Sequence, residues 1–231
     1  MRIGMSRYTD AVIFDMDGVI FDSERLVLAC WKKVSEKYGF QGIDEVFMPC
    51  IGTNATRTKE IVLDYYGPDF PYEDFRKEAS VLFHEQVDCD GLPVKEGVRE
   101  LLDYLKEQGV PAAVASSTRL EVVADELKQA GLYEYFRVVM GGDQLKRSKP
   151  EPDIYLMTCD KMDVIPGRAY AIEDSYNGIR SSYSAGMRPI MVPDMLPPTE
   201  EMRQKSVAVL ENLLMVREYL EEIHRQNNFL Q

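Results

Sequence analysis

Short apolar runs and segments of helical period take turns along this chain. Residues 11–14, Ala-Val-Ile-Phe, are apolar without interruption and lead straight into Asp15, Asp17 and Gly18. A continuous apolar run bounded by a turn signal fits a strand buried on both faces. Similar short runs at 110–115, 136–140, 168–172, 189–192 and 207–209 predict five further strands. Helical spacing fills the gaps. It is clearest at 97–108, where Val98, Leu101, Leu102 and Leu105 share a face, and recurs at 119–130, 153–161, 179–185 and 212–224. Gly109 and Gly131 stand where a helix C-cap belongs. Strands alternating with helices of about ten residues describe an α/β protein with a doubly wound, Rossmann-like parallel sheet.

One stretch breaks that alternation. From 24 to 90 only helical patterns occur, at 26–38, 43–47, 56–65 and 72–87, separated by Gly39, Gly52, Gly67-Pro68 and Pro71. Ser23 is placed as the N-cap of the first of these helices, with Glu24 in its opening turn. The expected organisation is a catalytic core of 1–22 and 92–231, with 23–91 inserted as a helical cap domain. Linkers fall near 21–23 and 89–94, where Gly91 and Pro93 would set a hinge.

Composition narrows the function classes. A 231-residue chain with 45% hydrophobic and 29% charged residues can bury a sizeable core. A formal net charge of −12 argues against nucleic acid or an anionic membrane as partner, yet leaves room for a small anionic substrate in one pocket. No apolar run approaches the roughly 18 residues of a membrane span. The opening MRIGMSRYTD lacks the apolar centre of a signal peptide. Cys30, Cys50, Cys89 and Cys159 form no C-x-x-C pair, so free thiols in the cytoplasm are expected and a zinc site is disfavoured. With only His84 and His224, a serine or cysteine triad has little to build on. Hydrolytic chemistry would fall to carboxylates. Oligomeric state leaves no mark on the sequence.

The strand ends carry the chemistry. They present Asp15 with Asp17, then Ser116, then Glu173 with Asp174, while Lys149 lies in a loop on the same sheet edge. Ligands of parallel sheets sit outside the carboxyl ends of the strands. Alternation turns Asp15 and Asp17 to one side and Met16 to the other, and two like charges that close call for a cation or a shared proton. Four converging carboxylates suit a hard divalent metal with oxygen ligands, magnesium above all. A hydroxyl and an ammonium suit the oxygens of a phosphate. Plainer readings stand beside these: Asp-Gly as a mere turn, Glu173-Asp174 as a helix N-cap pair, Lys149 as a solvated loop lysine. Ser117 and Thr118 are read as caps of the following helix.

DMDGV at 15–19, the Ser116 hydroxyl after a strand, Lys149-Pro150 and EDSYNG at 173–178 resemble the four motifs of the haloacid dehalogenase (HAD) superfamily of phosphohydrolases. The match in order and spacing covers about residues 11–195. Asp17 and Gly18 resemble the phosphatase branch, and the helical insert resembles the cap of the beta-phosphoglucomutase-like subgroup. The resemblance implies Asp15 as nucleophile, forming an aspartyl-phosphate, and Asp17 as general acid and then base. It implies magnesium held by Asp15, the Asp17 backbone carbonyl and Asp174, with Glu173 as ligand or support. Ser116 and Lys149 would hold the phosphoryl oxygens. The implied activity is hydrolysis of a small phosphorylated metabolite, a sugar phosphate or similar.

Members of that subgroup either release phosphate to water or return it to a sugar. The mutase pattern carries a histidine in the first cap helix, and a lysine and an arginine flanking a cap glycine. Here no histidine lies between Gly18 and Trp31, and Ile51 and Ala55 occupy the places around Gly52. Arg57 and Lys59 are offset substitutes at best. The phosphonate-cleaving relatives need a cap lysine, for which Lys32 and Lys33 are candidates by position only. A phosphatase is expected, with a sugar-phosphate mutase as the alternative. A phosphoaspartate receiver domain, the reading from another class, is about half this length and has no helical insert.

Overall fold

The computed structural model describes residues 9–53 and 55–229. The octet at 1–8, part of the segment read for a signal peptide and of the expected core, lies outside the described residues. In chain order the elements are β1 (Ala11–Phe14), α1 (Ser23–Tyr38), α2 (Ile43–Phe47), α3 (Ala55–Tyr66), α4 (Tyr72–Asp90), α5 (Val98–Glu107), β2 (Ala112–Ala115) and α6 (Leu120–Gln129). They continue with β3 (Phe136–Met140), α7 (Asp153–Met162), β4 (Ala169–Glu173), α8 (Tyr176–Ser184), β5 (Arg188–Met191), α9 (Glu200–Lys205), β6 (Ala208–Val209) and α10 (Leu213–Phe229). Each predicted strand forms. The predicted helices form too, with ends shifted by a few residues. Helix α9 carried no readable signal, because EEMRQK buries a single side chain, Met202, and so shows no apolar period.

The six strands make one sheet in the order β3-β2-β1-β4-β5-β6, parallel throughout. Strand β1 lies centrally, and its two faces feed different cores, as a period of two requires. Val12 and Phe14 join Leu101, Leu105, Val123 and Leu127 from α5 and α6. Ala11 and Ile13 join Ile154, Tyr155 and Cys159 from α7. All four β1 side chains are fully buried, the larger ones contributing about 1.5–3 kcal/mol each. The chain leaves β1 toward β2 on one side and later fills β4 on the other. That reversal opens a crevice at the strand carboxyl ends.

Helices α1–α4 lie between β1 and α5 in the chain and bury a core of their own around Trp31, whose ring meets Phe47 and Phe75 edge-on at 5.2 and 5.4 Å. The two crossings into this helical segment are zipped together. Phe21 bridges Val94, Asp22 N–H donates to Pro93 O and Lys95 N–H donates to Ile20 O, both at 2.9 Å. The buried Asp194 carboxylate accepts from Arg25 and Lys95 at 2.5 Å, tying both crossings to the loop after β5. No helix among the described residues is long and apolar enough to cross a membrane.

Candidate active site

The ladder of β1 continues one step past the strand: Asp15 N–H donates to Ile172 O at 2.9 Å, which fixes the Asp15 carboxyl at the carboxyl edge of the sheet. The chain then turns through Gly18, whose φ is +77°. A Cβ built there would sit 2.2 Å from Asp174 Oδ2, so glycine is needed both for the turn and for the close approach of Asp174. From the loop between β3 and α7, on the same sheet edge, Lys149 reaches in, buried, and its amine donates to Asp15 Oδ1 (2.6 Å), Glu173 Oε1 (2.7 Å) and Ala115 O (3.0 Å). Those bonds use all three of its N–H groups. Tyr155 OH also donates to Glu173 Oε1, at 2.5 Å.

Burial, then the nearby Glu173, pushes the Asp15 carboxyl up to about 8, with Lys149 pulling the other way. Burial alone would lower the Lys149 amine, but Asp15 and Glu173 outweigh it and hold it protonated, above its ordinary range. Asp174 is raised well above the usual carboxylate range, by burial first and by Asp15 and Glu173 next.

Asp17 faces the same space from a different setting. Ser23 Oγ donates to its Oδ1 at 2.7 Å and Thr118 Oγ1 to its Oδ2 at 3.1 Å, with Ser116 Oγ farther off at 3.5 Å. Both Ser23 and Thr118 depart from the capping roles expected of them. Helix α1 starts at Ser23 itself, with Asp22 at the N-cap making no side-chain bond. Helix α6 starts after Arg119, and the Leu120 N–H is taken by Asp143 Oδ1 at 2.8 Å. The hydroxyls are drawn away because a half-buried carboxylate is a stronger acceptor than a neutral group. Glu173 and Asp174 do not cap α8 either; Ser175 does, accepting from Gly178 N–H at 3.1 Å. Ser116 is fully buried, its Oγ accepting from Thr118 N–H at 3.0 Å, and Ser117 and Thr118 form the cavity wall there.

A cavity of about 510 Å³ spans from Asp15, Asp17, Lys149 and Asp174 to the inner wall of α1–α4. Two carboxyls that the sequence reading passed over, Glu24 and Glu126, line it. Burial, reinforced by Asp17, pushes each up to about 8. Tyr155 was also passed over; a buried tyrosine on an amphipathic helix looks like core until its hydroxyl is seen on Glu173. Thr118 had a legible signal, a hydroxyl run directly after a strand end. Arg57, Lys59 and Lys32 do not line this cavity. Arg57 pairs with Glu60 at 2.8 Å, Lys59 with Glu73 at 2.7 Å, and Lys32 with Asp44 at 2.7 Å. Lys33 lines a groove between α1 and α4 elsewhere.

The profile of the haloacid dehalogenase-like hydrolases matches residues 12–192, which takes in β1 through the end of β5 and every strand-end residue described above. The chain belongs to that family. A phosphorylated carbohydrates phosphatase of Thermotoga maritima is 33% identical over 184 residues, covering 78% of this chain and 83% of that one. The beta-phosphoglucomutase of Bacillus subtilis is 29% identical, covering 88% and 93%. The solved structure of CbbY from Rhodobacter sphaeroides in complex with phosphate superimposes with a TM-score of 0.72 at 26% identity, covering 89% and 95%. The relatives of this chain thus include proteins of both kinds, phosphatase and mutase.

The donor set of this haloacid dehalogenase-like hydrolase fits a divalent cation. Oxygens of Asp15, Glu173 and Asp174 lie within 4.8 Å of one another, all three buried. Asp174 is 3% exposed and takes no hydrogen bond or ion pair from any described residue. A buried carboxylate without donors is costly unless a cation meets it. All-oxygen ligation suits magnesium rather than zinc. The four cysteines are free thiols.

Proposed function

We propose that this hydrolase is a magnesium-dependent phosphatase of a small phosphorylated metabolite, a sugar phosphate or similar, acting through an aspartyl-phosphate on Asp15. The observation that carries this reading is the contrast between two carboxylates on one cavity. Asp15 is gripped by a fully committed lysine, whereas Asp17 is held only by hydroxyls from α1 and from the turn after β2. The first is fixed for attack and the second can exchange a proton.

In this reading an Asp15 carboxylate oxygen attacks phosphorus and the ester P–O bond breaks. Asp17 gives its proton to the departing oxygen, then takes one from the water that hydrolyses the acyl phosphate. Lys149 offsets the charge crowded on Asp15, while the turn 116–118 faces the phosphoryl oxygens. Asp15, Asp174 and the Asp17 backbone carbonyl would hold magnesium, with Glu173 as ligand or as anchor of Lys149. Bound there, the ion would neutralise phosphoryl charge. Residues 23–91 would act as the cap of a core formed by 1–22 and 92–231, selecting the leaving group and limiting water. The four free thiols support a cytoplasmic setting.

The test is phosphate release from p-nitrophenyl phosphate with magnesium and after exhaustive chelation. Release is expected only with the metal, and Asp15→Asn is expected to remove it by at least ~3 orders of magnitude. Turnover of that variant within tenfold of the parent would overturn the covalent route.

A further inference from the structure

The catalytic cavity does not stop at the sheet edge. A second space of about 250 Å³ against the helical segment is lined by Val27, Trp31, Arg76, Ser80 and Phe83 as well, so these side chains border both. Arg76, Ser80, Phe83 and His84 follow one another at helical spacing along α4 and present one face to this space. The cavity at Asp15 therefore has two unlike ends. At the strand edge lie Asp15, Asp17, Asp174, Glu24 and Glu126, with Lys149 as the cation. At the α4 end lie aromatic and aliphatic side chains and one guanidinium.

That guanidinium is uncommitted. Arg25, Lys32, Lys37, Arg57 and Lys59 of α1–α4 all form ion pairs, whereas Arg76 forms none with any described residue. The carboxylate one turn before it, Glu73, bonds Lys59 instead. Lys33 and Lys77, also without ion pairs, line a separate groove. Since the Lys149 amine has no N–H to spare, Arg76 is the one arginine or lysine of the described cavity lining free to meet an anion.

We propose that Arg76 is a specificity residue that selects phosphate esters whose leaving group carries a second anionic group, a carboxylate or another phosphate, at its far end. The inference rests on the phosphatase reading above. A ligand with one charged end would leave the guanidinium unused. A ligand with two spans the cavity, its phosphoryl group at Asp15 and its distal anion in a charge-assisted bond with Arg76. Ser80 and His84, on the same face, can add hydrogen bonds to that distal group.

Matched pairs test this. 6-Phosphogluconate and glucitol 6-phosphate differ only in a carboxylate against a hydroxymethyl at the far end. 3-Phosphoglycerate and glycerol 3-phosphate form a shorter pair of the same kind. The protein with magnesium is expected to favour the carboxylate member of at least one pair by about tenfold or more in kcat/KM, chiefly through KM. Arg76→Ala is expected to bring that ratio near one, and Arg76→Lys to keep part of it. Hydrolysis of both members without preference, or a preference surviving in Arg76→Ala, would overturn this inference alone. Equal losses on both members would do the same, since they mark a structural role. No phosphate release from any of the four esters or from p-nitrophenyl phosphate would overturn the phosphatase reading, and this one with it.

Discussion

Lys149 shows how much one side chain can settle. Its three N–H groups join the ends of β1, β2 and β4, and two of its partners are buried carboxylates. Removing one partner of a buried ion pair is far more damaging than replacing the pair. Lys149→Met is therefore expected to lose roughly 3 kcal/mol or more in denaturant unfolding and at least about a hundredfold in phosphate release. A variant as stable as the parent would show that the amine does not balance the site. Glu126 offers a test of opposite sign. Its Oε2 is buried without a partner, and burial first, Asp17 second, raises its carboxyl from 4.5 to about 8. The unfolded chain loses that proton near pH 4.5 and the folded chain near 8. Stability therefore falls as pH rises through this window, and the full penalty stands above it. Partial exposure of the side chain moderates the size. Glu126→Gln should raise Tm by a margin that grows from pH 5 to pH 8.5, by about 2 °C or more, in thermal melts with chelator present. An equal gain at both pH values would contradict the ionisation argument.

Among the elements, α1 and the loop after α2 join the helical segment to the chemistry. Helix α1 begins with Ser23 on Asp17, so the helix that follows β1 also orients the proposed acid/base group. The loop at 51–53 rests on the sheet edge, where Asn177 Nδ2 donates to Gly52 O at 3.1 Å. Gly52 has φ +69°, and a Cβ there would lie 2.8 Å from the Ser175 Cβ. Backbone strain and steric overlap act together at this seat. Gly52→Val is expected to lift the loop and lower kcat/KM for a metabolite ester by roughly tenfold, and to lower Tm as well, since a β-branched residue is strained at positive φ. Steady-state kinetics with unchanged parameters would mean that the loop seat is incidental to turnover.

On the scale of the whole molecule the question is what happens to the phosphoryl group once it has left the substrate. A mutase must shield the intermediate from water and hold a bisphosphate through its reversal. Here Arg57 and Lys59 are bound to carboxylates of their own segment, and Arg76 and His84 are exposed on the cavity wall. One distal guanidinium in a wall open to solvent grips an anion without sealing the site. Steady phosphate release is therefore expected, with β-glucose 1-phosphate not converted to glucose 6-phosphate even when primed with catalytic glucose 1,6-bisphosphate. An assay following both products decides, and conversion outrunning hydrolysis a hundredfold would make this a mutase.

The central strand and its neighbours were legible because a buried parallel strand must be apolar along its whole length, as Ala11–Phe14 is. Asp15, Asp17, Lys149, Glu173 and Asp174 could be picked out because acids and a lysine at strand ends stand apart from the apolar runs before them. The all-helical stretch between β1 and α5 was equally plain from its succession of helical patterns. Local pattern failed where a side chain's partner lies far along the chain. Ser23 and Thr118 look like helix caps locally, and only folding brings Asp17 close enough to outbid the backbone N–H groups. Tyr155 and Glu173, Glu126 and Asp17, and Arg76 and the cavity at Asp15 meet only through tertiary packing. The period of a segment fixes which element forms and which residues share its face. Which charge ends beside which, and what that does to its protonation, depends on three-dimensional distance and desolvation.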